Sequence, residues 1–188
     1  MVNYRDDGLK EVEPYVKMIV DENIRKFLRE AFRIAPAYFW EIPASSSGKY
    51  HPKWAVQKRG LFWHSIFAMY LTSEFSTTFG LTPLERDIAI AASGLHDTVK
   101  YGIDYDLRYY EMHSYMPRTF FSNKEHDLSN IVGKEIYHAI MSAIESHMGT
   151  VHDGCWNPVR KKPNNRVEMV VHLADYVASR KQVNFSLI

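Results

Sequence analysis

The sequence has few of the features that would take a chain out of water or out of a reducing compartment. Cys155 is its only cysteine, so an intrachain disulfide is excluded, which fits a reducing environment. No apolar run approaches the ~20 residues that a bilayer-spanning helix needs. The opening stretch, MVNYRDDGLKEVEP, is polar and has no apolar core of the kind that drives secretion. Neither sign of charge dominates: 23 Lys and Arg against 22 Asp and Glu leave a formal net charge of +1. No global field therefore recruits an acidic membrane, and the balance argues against a polymeric nucleic-acid partner. Repeats, low-complexity tracts and period-two alternation are missing, so nothing reads as a sheet. These absences point to a cytoplasmic protein with no membrane association.

What is present is apolar, aromatic and rich in imidazole. The 188 residues are 46% hydrophobic and 24% charged, which suits one globular domain able to bury most of its apolar surface without disulfides. Aromatic residues reach 14%, with twelve tyrosines, and there are nine histidines. The apolar spacing is helical. In 9–34, Val16, Val20, Ile24, Leu28 and Phe32 recur in steps of four, with Ile19 and Phe27 widening the stripe. The segment 36–57 carries three prolines, Gly48 and a Ser triplet, which is loop chemistry, with Tyr38, Phe39, Trp40 and Trp54 suggesting a packed loop. A second helix is predicted over 60–79, and Gly80 follows as its stop. Thr82 as N-cap, Pro83 in the first turn and Glu85 behind it open a third helix that runs to about His96. Residues 101–126 are aromatic, polar and aperiodic and read mostly as loop. A fourth helix covers roughly 128–147, with a break expected near Gly133 and a stop at Gly149, and a last one covers about 165–182. The expectation is an all-α, single-domain helical bundle. Residues 1–57 form an N-terminal helix and an aromatic, Pro-rich loop packed on a core of 58–188. This N-terminal part is a candidate lid, cap or homo-oligomer surface.

The stretch SGLHDTVKYG, 93–102, ends an apolar run with His96 and Asp97. Adjacent side chains diverge by ~100° on a regular helix, so the pair can serve one site only where the helix ends. Other potential ligands lie near helix ends or inside apolar helices: His64 in LFWHSIF, His126 before the fourth helix, His147 at its end, and Asp175 in VVHLADYVASR. A lone carboxylate among Val171, Leu173, Ala174 and Val177 is expensive to bury and asks for a cation, hydrogen-bond donors or exposure. Imidazoles offer neutral nitrogen donors to a divalent ion while carboxylates cancel its charge. Four His and two Asp suffice for two ions, with Asp97 able to bridge them.

The ordered set His64, His96–Asp97 and Asp175 resembles the HD superfamily of metal-dependent phosphohydrolases, over roughly residues 60–180. KEHDLSNIVG, with His126 and Gly133, and AIESHMG, with His147 and Gly149, are similar to the extra His segments of the two-metal branch. HLADYVASR looks like the closing segment of small bacterial dinucleoside tetraphosphate hydrolases, and Lys100 matches the frequent HDxxK form. The segment HDTVKYG departs from the family in lacking a small Gly before the lysine, and the middle segment is unusually aromatic. His113 is an alternative to His126 as the middle ligand.

The resemblance implies an HD-type bundle, one or two divalent ions per chain (Fe, Mn, Co or Ni foremost, with Mg or Zn as alternatives) and hydrolysis of a small nucleotide or other phosphate ester. His64, His96, Asp97 and Asp175 would hold one ion, and His126 and His147 the second, with Asp97 shared. Asp97 and Lys100 are the candidate catalytic residues, and Arg59, Lys100 and Arg118 are the candidate substrate-binding cations. His51, His138, His152 and His172 are assigned to surface, core or supporting positions. Competing readings are a di-iron HD oxygenase, a non-catalytic nucleotide sensor, and a structural metal site in an interaction protein, between which fold alone does not choose.

Overall fold

A computed structural model describes residues 3–45, 48, 51–123, 127–148 and 160–182. Among them are eight α-helices and no β-strand: α1 (Tyr4–Val16), α2 (Glu22–Ile34), α3 (Gly60–Thr78), α4 (Pro83–Leu95), α5 (Met116–Phe121), α6 (Ser129–Val132), α7 (Lys134–Glu145) and α8 (Arg166–Ala178). Short 3₁₀ turns at Ala37–Trp40, Lys53–Val56 and Leu107–Tyr115 fill the connections. The all-α expectation holds.

The central helix is α3. Phe62, Ile66, Met69 and their neighbours are buried around most of its circumference, as an interior helix requires. It packs on α4 and α8, and α4 in turn meets α2, α7 and α8. Gly94 allows part of this contact: a Cβ there would lie 2.9 Å from Sδ of Met69 on α3 and 3.2 Å from the Phe32 ring on α2. The capping box read at Thr82 is formed, with the Thr82 hydroxyl accepting from the amide of Glu85 and the Glu85 carboxylate accepting from the amide of Thr82. The break expected near Gly133 also occurs. Gly133 separates α6 from α7 at a φ of 80°, in the region that favours glycine.

Two expectations need correction. The apolar stripe over 9–34 is carried by two helices, because 17–21 is a connection and Val20 is 71% exposed. Asp21 caps α2 by accepting from the amides of Asn23 and Ile24. The buried Asp87 on α4 accepts from the amides of Val20 and Asp21, at 2.9 Å and 2.7 Å. Side chains and a neighbouring helix thus satisfy the amides that a continuous helix would have satisfied itself. The second correction concerns 101–126, which holds a 3₁₀ segment and α5 where loop was expected; Pro117 stands in the first turn of α5, where its missing N–H costs nothing. Gly149 and Cys155 lie outside the described residues. No described helix is long and apolar enough to cross a membrane.

Candidate metal centre

Three helices deliver the first group of ligand atoms. His64 projects from the middle of α3, His96 is the C-cap of α4, and Asp175 comes from α8. Nε2 of His64 lies 3.2 Å from Nε2 of His96 and 3.0 Å from Oδ1 of Asp175, and Nε2 of His96 is 3.5 Å from the same oxygen. The second group is built on connections. Asp97 follows α4, His113 sits in the 3₁₀ segment, and His147 stands just past α7. Nε2 of His113 is 3.2 Å from Nε2 of His147 and 3.1 Å from Oδ1 of Asp97, while Nε2 of His147 is 3.9 Å from that oxygen. The groups meet where Nε2 of His96 approaches Oδ2 of Asp97 at 3.7 Å and where the His96 and His147 rings stand 4.9 Å apart.

These contacts fit cation ligands better than a hydrogen-bonded core. Two ligand atoms bound to one ion at about 2.1 Å each, at tetrahedral or octahedral angles, are about 3.0–3.4 Å apart. The short nitrogen–nitrogen distances fall in that range. Nδ1–H of His96 donates to the Ser93 carbonyl at 2.7 Å, and Nδ1–H of His147 donates to the Ile144 carbonyl at 2.6 Å. With the rings neutral, as binding of a cation would require, this leaves the lone pair of each Nε2 facing the cluster, which is the arrangement of a ligating imidazole. Oδ1 of Asp97 is buried, and the approach of His113 lacks hydrogen-bond geometry, so this oxygen has no hydrogen-bond partner. A buried carboxylate oxygen among nitrogen lone pairs is a position for a cation. Two sets have ligand atoms close enough to share an ion, His64–His96–Asp175 and His96–Asp97–His147.

The electrostatics follow from burial and proximity. Burial works to raise the Asp97 carboxyl, but the Lys100 ammonium at 2.7 Å, His96 and His113 outweigh it and hold Asp97 well below the usual range. Asp175 is likewise held low: burial opposes, and hydrogen bonds from His64 and His96 prevail. Burial also works to lower His96, yet Asp97 and Asp175 carry it above its ordinary value. His147 is pushed down to about 3, first by burial and then by the charge of His96.

The cluster opens into a cleft of about 210 Å³. Lys100 lines it, paired to Oδ2 of Asp97. His51 and His172 line it as well, so both stand nearer the chemistry than the sequence indicated. Nδ1–H of His172 donates to the His147 carbonyl at 2.7 Å, which steadies this candidate ligand. Arg59 and Arg118, expected as substrate-binding cations, do not line this cleft. Arg59 pairs with Glu11 and lies over the Tyr4, Phe62 and Trp63 rings, tying α1 to α3. Arg118 pairs with Glu145 and reaches Nδ1 of His138 at 2.9 Å. The guanidinium groups that do line the cleft are Arg160 and Arg180. Arg160 follows a stretch of sequence without apolar period, where no spacing rule points to it. His126 lies outside the described residues, whereas His113 stands inside the cluster.

The family described as HD domain matches residues 61–180. No curated protein and no solved structure matches the chain. The matched span begins with α3 and closes after α8, and so takes in His64, the adjacent His96 and Asp97, and Asp175. Most proteins of this family are metal-dependent hydrolases. With the ordered ligands converging on one cleft, the chain belongs to the HD domain family.

Proposed function

We infer that the protein is a phosphohydrolase that uses two divalent ions to cleave a small nucleotide or nucleotide-like phosphate ester. The observation that carries this reading is the pair of ligand sets that share His96. His64, His96 and Asp175 would hold one ion, and Asp97, His113 and His147 the other, with Asp97 and His96 at the junction. Divalent ions held there would neutralise phosphoryl oxygens and lower the pKa of bound water from about 15.7 towards ~7, supplying a nucleophile at neutral pH.

The chain's own residues orient and screen. The carbonyls of Ser93 and Ile144 fix the tautomers of His96 and His147. Lys100 holds Asp97 ionised and presents an ammonium at the cleft wall, where it stabilises negative charge on phosphoryl oxygens. Burial of His96, Asp97 and His147 keeps bulk water from competing for the ligand atoms.

The test is an assay of metal-loaded protein against dinucleoside polyphosphates, deoxynucleotides, cyclic dinucleotides and simple phosphate monoesters. Release of phosphate or of a nucleotide from at least one class is expected. No release from any of them, with metal confirmed by elemental analysis, would remove the hydrolase reading. Oxygen uptake by the iron-loaded form would replace it with an oxygenase.

A further inference from the structure

We propose that His51 touches the substrate, its imidazole donating a hydrogen bond to an oxygen of the phosphate group in the cleft. The proposal rests on the phosphohydrolase reading and adds to it a residue from outside the span that matches the family. His51 precedes α3, whereas the match begins at residue 61. His51 lines the cleft with His64, Asp97 and Asp175, and its ring centroid is 5.7 Å from that of His64, with the planes at 59°. It belongs to neither ligand set. Among the described residues neither ring nitrogen of His51 has a hydrogen-bond partner, whereas Nδ1 of His96, of His147 and of His172 each bonds a main-chain carbonyl. The residue is half-buried, and its nitrogens stay open to solvent. In either protonation state an imidazole carries at least one N–H, so a phosphate oxygen in the cleft finds a donor there.

The backbone that carries His51 is held firmly against α3. Pro52 follows it, buried and at a φ of −59°, and its carbonyl accepts from the Ala55 amide at 3.1 Å within the 3₁₀ turn Lys53–Val56. Ala55 is buried, and its carbonyl accepts from the Ala44 amide at 2.8 Å. A Cβ at Gly60 would lie 2.1 Å from that carbonyl oxygen, so only glycine lets the turn press on the first residue of α3. The Trp54 ring packs on Phe67 of α3, with centroids 5.8 Å apart. The amides of Arg59 and Leu61 donate to the Glu41 and Ile42 carbonyls at 2.8 Å and 3.0 Å, which joins the two ends of the connection. The turn thus fixes the residue ahead of it beside the helix that carries His64. A histidine kept for packing places its nitrogens on main-chain acceptors, as His172 does. His51 keeps them for the cleft.

Metal-loaded protein is titrated calorimetrically with inorganic phosphate, and the metal content of each sample is measured. His51→Phe keeps a ring in place and removes both nitrogens, His51→Ala is a second donor-free variant, and His51→Gln keeps an N–H donor. The wild type is expected to bind phosphate, and the donor-free variants to bind it about tenfold or more weaker, as one hydrogen bond to a charged group implies. His51→Gln should stay within about threefold of the wild type. Metal per chain should be equal in all of them. With a hydrolysed phosphate ester, His51→Phe should lose about tenfold or more in kcat/KM, and His51→Gln should regain most of it. Thermal melts establish which variants fold. A wild type that does not bind phosphate, or a folded donor-free variant that binds it as the wild type does, overturns the proposal. Loss of metal from the donor-free variants overturns it too, because His51 would then hold an ion. Phosphate binding as expected with no ester hydrolysed counts against the phosphohydrolase reading and leaves the contact standing.

Discussion

The two halves of the ligand cluster are built differently. His64, His96 and Asp175 are carried by α3, by the end of α4 and by α8, which pack directly on one another around the core. Asp97, His113 and His147 stand on connections, and hydrogen bonds from neighbouring segments hold those connections in place. Regular helices give the first half its rigidity through packing. The second half depends on individual polar contacts. Buried carboxylates elsewhere do the same for other connections: Asp87 fixes 20–21 and Glu168 fixes 161–164.

The largest effect is expected where the halves meet. Asp97→Asn removes the charge that faces His113, His147, His96 and Lys100. Hydrolysis should fall about 10³-fold or more. Stability should also fall, because the buried Lys100 ammonium loses the carboxylate at 2.7 Å that faces it. Rate assays and denaturant titration check both. The halves are separated next by metal titration. Asp175→Asn should weaken the helix-borne site, and His113→Ala should weaken the connection-borne site about 10–100-fold while sparing the first. Equal losses in both variants would mean that the two halves bind as a unit, and the comparison would break.

Asp87→Ala leaves the amides of Val20 and Asp21 without their acceptor. A loss of about 1–3 kcal/mol, read as a lower melting temperature, is expected. The Lys161–Glu168 ion pair, with Nζ 2.8 Å from Oε1, has a pH signature. Burial raises this carboxyl, but Lys161, Ser142 and the Asn164 amide outweigh it, so the folded value lies below the ordinary 4.5. The stabilisation is therefore complete above 4.5 and is lost as pH falls through the lower folded value. Melting curves of Glu168→Gln should show a flatter acid limb than the wild type. The smallest effect belongs to Val20→Lys. At 71% exposure the change should stay within about 0.5 kcal/mol, whereas a continuous helix over 9–34 would make Val20 a core residue and the substitution costly.

Legibility in the sequence follows the same division. The helix-borne elements were readable: the start of α4 from Thr82, Pro83 and Glu85, the break at Gly133, and the candidate ligands His64, His96 and Asp175 in their order along the chain, with Asp97 directly after His96. The break at 17–21 was hidden because Val16 and Ile24 keep helical spacing across it, and the decisive partner, Asp87, is distant in sequence. His113 lies in a 3₁₀ segment without apolar period, so neither its helicity nor its direction could be read. Arg160 and His51 reach the cleft from connections, and only the folded chain shows it. Arg59 and Arg118 illustrate the converse: proximity in sequence to ligands did not bring them to the cleft, because Glu11 and Glu145 hold them elsewhere.

The most direct test is a crystal structure of the protein grown with manganese, with anomalous scattering recorded to place each ion and its ligands. The account predicts one ion bonded to His64, His96 and Asp175 and a second bonded to Asp97, His113 and His147. Anomalous peaks absent from both positions at saturating manganese, with the helices packed as described, would contradict it.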